Sequence, residues 1–358
     1  MKHKLTRRDF LWTTAGVAAA HRFLFSQQPA PYMGQPVRVY DRRSTVAVVQ
    51  GESRRKNAYQ SLLAIEEQIL PVLKQKRYAI IKPNLVSTVN QLAATHADAL
   101  HGILDFLAPR FSGPVLIAES SAGYTPEGYD NFRYPQVVSE HKSQQVSLLD
   151  LNEEGKYEVI PVLDGDLHVV PVRLAARLLD ADAYIICAAA LKTHNVTVAT
   201  LSIKNMTLGA PLHHARKETK RWNDKRHYHG GVRQTHFDML LTAQKMQPFW
   251  GATVIDGFEG MEGNGPSSGT PVPSRIAIAS TDYLAADRVG VEVMGINPAW
   301  LGHLVYCSQC GLGQYDLSKI DVRGAKLADV TRKYQLHRDI ERQLQWMGPM
   351  TEVPPKLG

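Results

Sequence analysis

The sequence has few cysteines and no apolar run long enough to cross a bilayer. Only Cys187, Cys307 and Cys310 occur among 358 residues, which excludes a scaffold held together mainly by disulfides. The spacing of Cys307 and Cys310 suits a disulfide, half of a metal site or two structural thiols, but three cysteines cannot supply the four thiolates of an iron–sulfur cluster. The moderately apolar residues 11–20 fall short of the roughly twenty that a membrane-spanning helix needs, so we expect no stable transmembrane anchor.

Several motifs of common enzyme classes are also missing. The sequence contains no phosphate-binding P-loop, no GxGxxG after its first predicted strand, no GxSxG and no HExxH. These absences argue against nucleotide hydrolysis, dinucleotide binding, serine hydrolase chemistry and the common zinc protease site. Hydrophobic residues at 44% and charged residues at 21% are nevertheless ordinary for a globular protein.

The first thirty residues have the pattern of a twin-arginine signal peptide. Thr6, Arg7 and Arg8 are followed by Asp9 and by Phe10-Leu11, and then by the moderately apolar run; Trp12 stands where a lysine is often found. We therefore predict that residues 1–30 engage the twin-arginine translocation machinery and direct the chain to the periplasm. Proteins exported in this way fold before they cross, commonly around a metal or cofactor.

Charge outside the leader is modest. Residues 1–28 contribute a net +4 of the formal +7, which leaves +3 for the rest of the chain. The basic residues cluster instead in residues 212–233, which hold seven lysines and arginines and four histidines. Because no known nucleic-acid-binding module accompanies them, we expect no nucleic-acid partner and interpret the segment as a basic lid over an anionic ligand, with a mobile solvated loop as the alternative.

The rest of the chain predicts an α/β fold. Short apolar strands alternate with amphipathic helices from residue 45 to residue 294, which favours a mainly parallel sheet covered by helices on both faces. We predict a linker over residues 31–42, a single domain over residues 43–330 and a C-terminal tail over residues 331–358, which consists of a surface helix and a loose end. Predicted helices include residues 58–76, kinked or ended at Pro71, and residues 174–179.

Lysines follow two predicted strands, where functional residues of parallel sheets gather. Lys82 and Asn84 follow one strand, and Lys192 and His194 follow another, with Lys204 and Asn205 close behind. Lysines suit a phosphate or carboxylate, and histidine suits proton transfer or metal binding. We predict Lys82, Asn84, Asn205 and Asn264 as substrate-binding residues and Lys192, His194, Lys204 and Glu259 as catalytic residues. A solvated loop is the alternative.

A glycine-rich acidic stretch over residues 256–266 is predicted as a second functional loop. Its carboxylates, Asp256, Glu259 and Glu262, suit a hard cation or general acid–base work, while its glycines allow a close approach of the backbone to a ligand. Asp256 and Glu262, with Glu119 from an earlier strand end, are the candidate metal ligands, and a divalent metal ion is the candidate cofactor. A plain glycine turn with solvated acids remains the alternative.

In this order, the motifs resemble the bacterial and archaeal family called domain of unknown function 362. They are Lys82-Pro83-Asn84, Leu191 to His194, Ser202 to Asn205 with Gly209, residues 256–266 with Gly269, and Ser280 to Asp282 with Ala286-Asp287. The resemblance covers residues 46–322. It implies no established activity, and many relatives carry iron–sulfur cysteines that this chain lacks.

The sequence thus leaves three functions open. The first is an exported, metal-assisted isomerase, lyase or hydrolase acting on a small molecule with a carboxylate or phosphate group. The second is a periplasmic protein that binds an anionic metabolite or metal complex without turnover. The third is a redox-linked protein that uses Cys307 and Cys310.

Overall fold

The computed structural model describes residues 40–348, which form a sheet with helices packed around it. The predicted signal peptide, all but the last residues of the linker and the end of the tail lie outside the described residues. The strands are β1 Ser44–Gln50, β2 Tyr78–Lys82, β3 Val115–Glu119, β4 Val146–Asp150, β5 Tyr157–Leu163, β6 Val169–Ala175, β7 Ala183–His194, β8 Val198–Ala199, β9 Trp250–Glu262, β10 Thr270–Val272, β11 Ile276–Ser280 and β12 Ile320–Gly324.

Ten of these strands form one sheet, with β5 and β6 pairing separately. The main order is β12-β1-β11-β9-β7-β2-β3-β4, with β10 paired to β9 and β8 to β7. Within that order β11 is antiparallel to both of its neighbours, whereas the other adjacent pairs are parallel. The mainly parallel sheet predicted from the sequence is confirmed.

Helices cover both faces of the sheet, as predicted. They are α1 Arg54–Leu63, α2 Glu66–Leu73, α3 Ala97–Leu107, α4 Thr125–Asn131, α5 Tyr134–Glu140, α6 Leu151–Glu154, α7 Leu201–Gly209, α8 Val232–Met246, α9 Tyr283–Val293, α10 Gly302–Gln309, α11 Leu327–Val330 and α12 Ile340–Gln343. Residues of α1 to α3 pack in one core cluster, and residues of α7 to α10 pack in a second, larger one. Successive residues of the strands point alternately into the two clusters. Strand residues are therefore buried on both faces of the sheet.

Some local predictions are wrong. The helix expected over residues 58–76 is two helices, separated at Ala64 and Ile65, and Pro71 lies inside α2 instead of ending it. Residues 174–179 end strand β6 and form a single 3-10 turn. The described part of the tail contains the short helix α12, but it packs closer to the core than a surface helix would, because Tyr334, Ile340 and Leu344 are buried in the larger core cluster.

Strands β7 and β9 extend through residues that were predicted to be loops. Thr193 and His194 pair with Ala199 and Val198 of β8, while Lys192 lies opposite Met261 of β9. The glycines that suggested a turn in β9 instead allow close packing: a Cβ atom at Gly257 would lie 2.8 Å from Leu191 Cδ2. Distant pairing partners thus override the local turn signal.

Helix α7 is held at its amino end by a buried carboxylate from α9. Asp287 Oδ1 accepts from the Ser202 amide at 2.8 Å and from the Ser202 hydroxyl, and Oδ2 accepts from the Ile203 amide at 2.9 Å. Burial raises the pKa of Asp287 to about 7, so these donors stabilise a carboxylate that its surroundings otherwise disfavour. The contacts fix α7 against the sheet.

None of the helices between residues 40 and 348 has the length and apolar character required to cross a membrane.

Candidate functional site

The site lies where the chain reverses its direction of travel across the sheet. From β2 the chain moves to β3 and β4 on one side, whereas β7 and then β9 lie on the other side of β2. Lys82, the last residue of β2, is in register with Cys187 of β7, and β7 continues to His194 beyond that point. Ligands of open parallel sheets commonly bind in the crevice that such a reversal leaves at the carboxyl ends of the strands.

A buried ion pair forms the floor of this crevice. Lys82 Nζ lies 3.0 and 3.1 Å from the two carboxylate oxygens of Glu119, at the end of β3. It also donates to the Pro83 carbonyl at 3.0 Å and to Asn205 Oδ1 at 3.1 Å. An unpaired charge at such a buried position would be strongly destabilising. These four acceptors therefore stabilise the Lys82 ammonium.

Asn205 and Asn84 extend this network across the ends of the strands. Asn84 Nδ2 donates to Asn205 Oδ1 at 3.1 Å, and Asn205 Nδ2 lies 3.3 Å from the sulfur of Cys187. The carboxamide oxygen of Asn84, in contrast, is buried and has no hydrogen-bond partner among residues 40–348. An unmet buried acceptor costs about 1–3 kcal/mol, which a ligand donor would recover.

Helix α7 brings Lys204 to the crevice next to Asn205. The connection before the helix contains two non-glycine residues in the left-handed region, Val198 with φ 66° and Leu201 with φ 47°. Such conformations persist only where the surroundings impose them, and they concentrate at functional sites. Lys204 is only 6% exposed, and its ammonium makes no hydrogen bond with any residue that the structure describes.

A fourth lysine enters from the basic segment. Lys225 Nζ donates to the Pro211 carbonyl at 2.5 Å and lies 3.2 Å from both the Ser120 hydroxyl and the Gly209 carbonyl. Neighbouring Asp224 anchors the segment by accepting from the backbone and guanidinium of Arg173, at 2.8 and 3.0 Å. The segment therefore contributes a buried cation to the site, although the sequence offered no reason to single out Lys225 among its basic residues.

These groups enclose a cavity of about 260 Å³. Its polar lining comprises Asn84, Glu119, Ser120, Ser121, His194, Asn195, Lys204, Asn205, Lys225 and His229. A wider cleft of about 740 Å³ shares the lining residue Ala122 with it. The smaller cavity thus accepts a compact group, with open space beside it for the remainder of a longer molecule.

Burial controls the protonation of the cavity lysines and histidines. Burial, with a smaller contribution from the Lys82 charge, lowers the pKa of Lys204 to about 8, and burial lowers the pKa of Lys225 to about 7. Burial, reinforced by Lys204, holds the pKa of His194 well below its usual value and that of His229 at about 4. Both histidines are therefore neutral near pH 7, while the lysines titrate there.

The hydrogen bonds of His194 also fix which nitrogen carries its proton. Nδ1 accepts from the backbone amides of Val196 and Thr197 at 3.1 and 3.3 Å. A neutral ring that accepts at Nδ1 has its proton on Nε2. His194 is thus arranged as a hydrogen-bond donor at Nε2, which does not suit metal ligation through that atom.

The structure brings together more than half of the residues predicted from the sequence. Lys82, Asn84, Glu119, His194, Lys204 and Asn205 meet at the cavity or directly beneath it. Lys192 is fully buried beside it, donating to the carbonyls of Ala93 at 2.6 Å and Pro266 at 3.4 Å. Burial and the Lys204 charge hold the pKa of Lys192 well below its usual value.

The predicted residues of β9 and the following loop do not join this cavity. Asp256 forms an ion pair of 3.2 Å with Arg54, and exposed Glu259 lies 4.0 Å from the same guanidinium. Glu262 accepts from the Gln335 amide, and Asn264 from the Arg338 amide. Each of these side chains thus has a partner within the protein that accounts for its position without a bound substrate.

The three candidate metal ligands are likewise not gathered. Asp256, Glu262 and Glu119 each have a separate partner, as given above. Within residues 40–348 the one group of three ligand-type side chains with all ligand atoms within 4.8 Å is Asp164, Asp166 and His168. Asp164 Oδ1 there accepts from the amides of Asp166 and His168, so it caps a turn between β5 and β6.

Sequence reasoning missed Lys225, Ser120 and His229. Ser120 is next to Glu119 and holds its place by donating to the Gly209 carbonyl. His229 and Lys225 come from a 3-10 segment over Asp224–His229. Membership of the basic segment is the sequence signal for both, and the His-x-His spacing of His227 and His229 is a weak additional signal for metal binding. Cys307 and Cys310, considered for redox chemistry, are free thiols and are not lining residues of this cavity.

Comparison with known proteins places these motifs in a family. Residues 80–292 match the family described as Domain of unknown function (DUF362). The chain is 29% identical over 143 residues to Thylakoid-associated protein sll1697 of Synechocystis sp., an alignment that covers 39% of this chain and 41% of that protein. A crystal structure of a Thermotoga maritima protein matches with TM-score 0.39 and 10% identity over 60% of this chain and 52% of that one.

Gly209, the last residue of helix α7, lies against the end of the Lys82 side chain. A Cβ atom at this position would lie 2.8 Å from Lys82 Cε and closer still to Nζ. We expect Gly209→Ala to displace the ammonium from Glu119 and Asn205 and to lower the free energy of unfolding by about 2 kcal/mol in a denaturant titration.

Gly231→Ala is the matched control, because a Cβ atom there meets nothing within 4 Å. It should cost less than about 1 kcal/mol. Equal losses in the two variants would contradict the claim that Gly209 makes room for Lys82.

Proposed function

We propose that this chain, which belongs to the DUF362 family, binds a small anionic molecule in the lysine-lined cavity and transfers a proton to or from it. The single observation that carries the proposal is the imbalance of buried charge. Lys82, Lys192, Lys204 and Lys225 are all at least nine-tenths buried, but among the described residues only Lys82 forms an ion pair, with Glu119. A bound carboxylate or phosphate is the partner that this arrangement lacks.

The cost of burying a cation supports an anionic ligand. An isolated ammonium transferred from water into the protein interior is destabilised by several kcal/mol unless it is paired or loses its proton. Lys192 and Lys225 are partly compensated by backbone carbonyls, whereas Lys204 has no such acceptor in the described part of the chain. The lowered pKa values of these lysines express the same cost.

Proton transfer follows from the position and protonation of Lys204. A group whose pKa is about 8 exchanges a proton readily near neutral pH, which is the condition for efficient general acid–base catalysis. Lys225 would hold the anionic group, and His194 would donate from Nε2 to a substrate oxygen. An isomerase or lyase step suits this set better than nucleophilic attack by serine.

Metal assistance, the alternative that the sequence suggested, finds little support in the donors of this cavity. Glu119 is engaged by Lys82, and the Nε2 atom of His194 carries a proton. The chemistry proposed here therefore uses the lysines and His194 without a metal ion.

The site of action proposed for the enzyme is the periplasm, reached through the twin-arginine machinery. The support is the Thr6 to Leu11 motif. We expect Arg7→Lys combined with Arg8→Lys to leave the full chain in the cytoplasm, measured by cell fractionation and immunoblotting. Arg22→Lys, a change of the same type within the leader, should leave export intact. Undiminished periplasmic protein in the double variant would refute the prediction.

Anion binding should depend on pH in a defined direction. Below about pH 7 both Lys204 and Lys225 are protonated, and each loses its positive charge as the pH rises through its pKa of about 8 or about 7. Sulfate keeps its charge over this range, so we expect its affinity to fall about tenfold between about pH 6 and about pH 9. Calorimetry or thermal shift against chloride of equal ionic strength measures it.

Lys225→Met and Lys217→Met distinguish the cavity from the basic surface around it. Lys217 is exposed on the same segment as buried Lys225. Only Lys225→Met should weaken sulfate binding and reduce its pH dependence. Equal effects of the two changes would show that the anion binds to the outer surface and would overturn the proposal.

The catalytic part is tested on the small molecule that accompanies the purified protein. After its identification by mass spectrometry, it is incubated with fresh protein in deuterated water and followed by proton NMR. We expect deuterium incorporation that falls at least about 100-fold in Lys204→Met and is unchanged in Lys220→Met, where the lysine is exposed. Binding without exchange would leave a binding protein and contradict the proposed enzyme.

A further inference from the structure

Lys204 differs from the other buried lysines of the site in having its amine free. Lys82 is held by Glu119, Lys192 by the Ala93 carbonyl and Lys225 by the Pro211 carbonyl. In contrast, none of the residues from 40 to 348 accepts a hydrogen bond from Lys204, whose amine lines the cavity. The helix that carries it is buried and fixed by Asp287, so the amine is presented from a rigid element.

Asn84 supplies a second, independent indication of what occupies the cavity. Its buried Oδ1 atom has no donor among the described residues, while its Nδ2 atom is committed to Asn205. A carboxamide oxygen accepts hydrogen bonds and cannot donate them. A hydroxyl or N–H group on the occupant, or on an intermediate formed from it, would therefore complete the hydrogen bonding of Asn84 Oδ1.

We propose that Lys204 is a nucleophile that forms an imine with a small anionic aldehyde or ketone, such as a 2-oxo acid. The inference rests on the anion binding proposed above and names the substrate class of that same site. It assigns Lys204 to nucleophilic attack in place of direct proton transfer by its amine. A lysine amine becomes an effective nucleophile when it is desolvated and lies near other cations. Lys204 satisfies both conditions through its burial and the proximity of Lys82 and Lys225.

The step balances without any additional reagent. The neutral Lys204 amine attacks the carbonyl carbon, a C–N bond forms, and the carbonyl oxygen becomes the hydroxyl of a carbinolamine. The C–O bond then breaks and the oxygen leaves as water, so that the two hydrogens of this water are those that the amine carried. The carbinolamine hydroxyl is a donor of the kind that Asn84 Oδ1 lacks.

The surrounding groups fit the intermediates of this step. Lys225, whose Nζ lies 3.2 Å from the Ser120 hydroxyl, has a pKa of about 7 in the empty cavity. A bound carboxylate favours its protonated form, which can then hold the carboxylate or protonate the departing hydroxyl. His194 Nε2 is a neutral donor for the carbonyl oxygen. With the pKa of Lys204 at about 8, roughly a quarter of the amine is neutral near pH 7.5.

Reductive trapping with glyoxylate tests the inference directly. Glyoxylate combines an aldehyde and a carboxylate in a molecule small enough for the cavity, and cyanoborohydride converts its imine into a stable carboxymethyl-lysine. We expect peptide mapping of the full chain near pH 7.5 to show Lys204 modified at least about tenfold faster than Lys217 and Lys220, because both of these side chains are exposed to solvent and lie outside the anion-binding cavity.

Two matched measurements separate imine formation from general lysine reactivity. Formaldehyde, an uncharged aldehyde, should modify Lys204 with less preference over Lys217, because it lacks the carboxylate that Lys225 binds. Lys225→Met should slow the glyoxylate reaction at Lys204 without slowing it at Lys217. Both results would support a nucleophile placed within an anion site.

The inference is overturned if glyoxylate modifies Lys204 no faster than Lys217, whether or not sulfate binds. Sulfate binding that depends on Lys225, combined with an unreactive Lys204, would remove the imine and leave the proposed anion site standing. Rapid modification of Lys204 that is insensitive to both Lys225→Met and the charge of the aldehyde would reject an anionic carbonyl substrate.

Discussion

The ion pair between Lys82 and Glu119 is the interaction on which the site depends. It joins the ends of β2 and β3, and through Asn205 it fastens helix α7 over both. The glycine at the end of that helix lets the ammonium pass, and Ser120 donates to the same glycine's carbonyl. Because this pair uses the carboxylate that faces the cavity, the remaining lysines have no acidic partner there. Their positive charge is the reason why we propose an anionic ligand for the crevice.

Helix α7, which carries Lys204 and Asn205, is held in place by contacts outside the cavity. Asp287 satisfies the amides at the amino end of α7, and the preceding connection is held in left-handed conformations at Val198 and Leu201. Each such conformation costs of order 1–3 kcal/mol and is maintained only by surrounding contacts. These conformations lower the stability of the fold, but they place Lys204 and Asn205 on a helix instead of on a flexible loop. A preorganised amine loses less entropy when it binds or reacts.

The sequence predicted the sheet, its helical layers and the edge at which Lys82, Asn84, His194, Lys204 and Asn205 meet, because strand alternation and the strand-end rule are properties of short segments. It did not predict that β7 and β9 run on through those segments, since their partners β8 and β10 are recognised only in three dimensions. Lys225 was missed for a related reason. Nothing local distinguishes it from its basic neighbours, and only the anchoring of Asp224 to Arg173 turns it inward.

The groups left unsatisfied define the ligand more narrowly than the charge alone. Protonated lysines without carboxylate partners favour a negatively charged ligand, and inorganic sulfate, phosphate or any carboxylate would provide that charge. Asn84 Oδ1 adds a requirement for a donor, which a fully ionised sulfate cannot meet. A hydroxyl-bearing or amine-bearing anion satisfies both, and the carbinolamine formed when Lys204 adds to a 2-oxo acid is such a species. Asn84 would then accept a hydrogen bond from the carbinolamine but not from the 2-oxo acid itself. It would therefore stabilise this intermediate more than the bound substrate, which is the condition for catalysis.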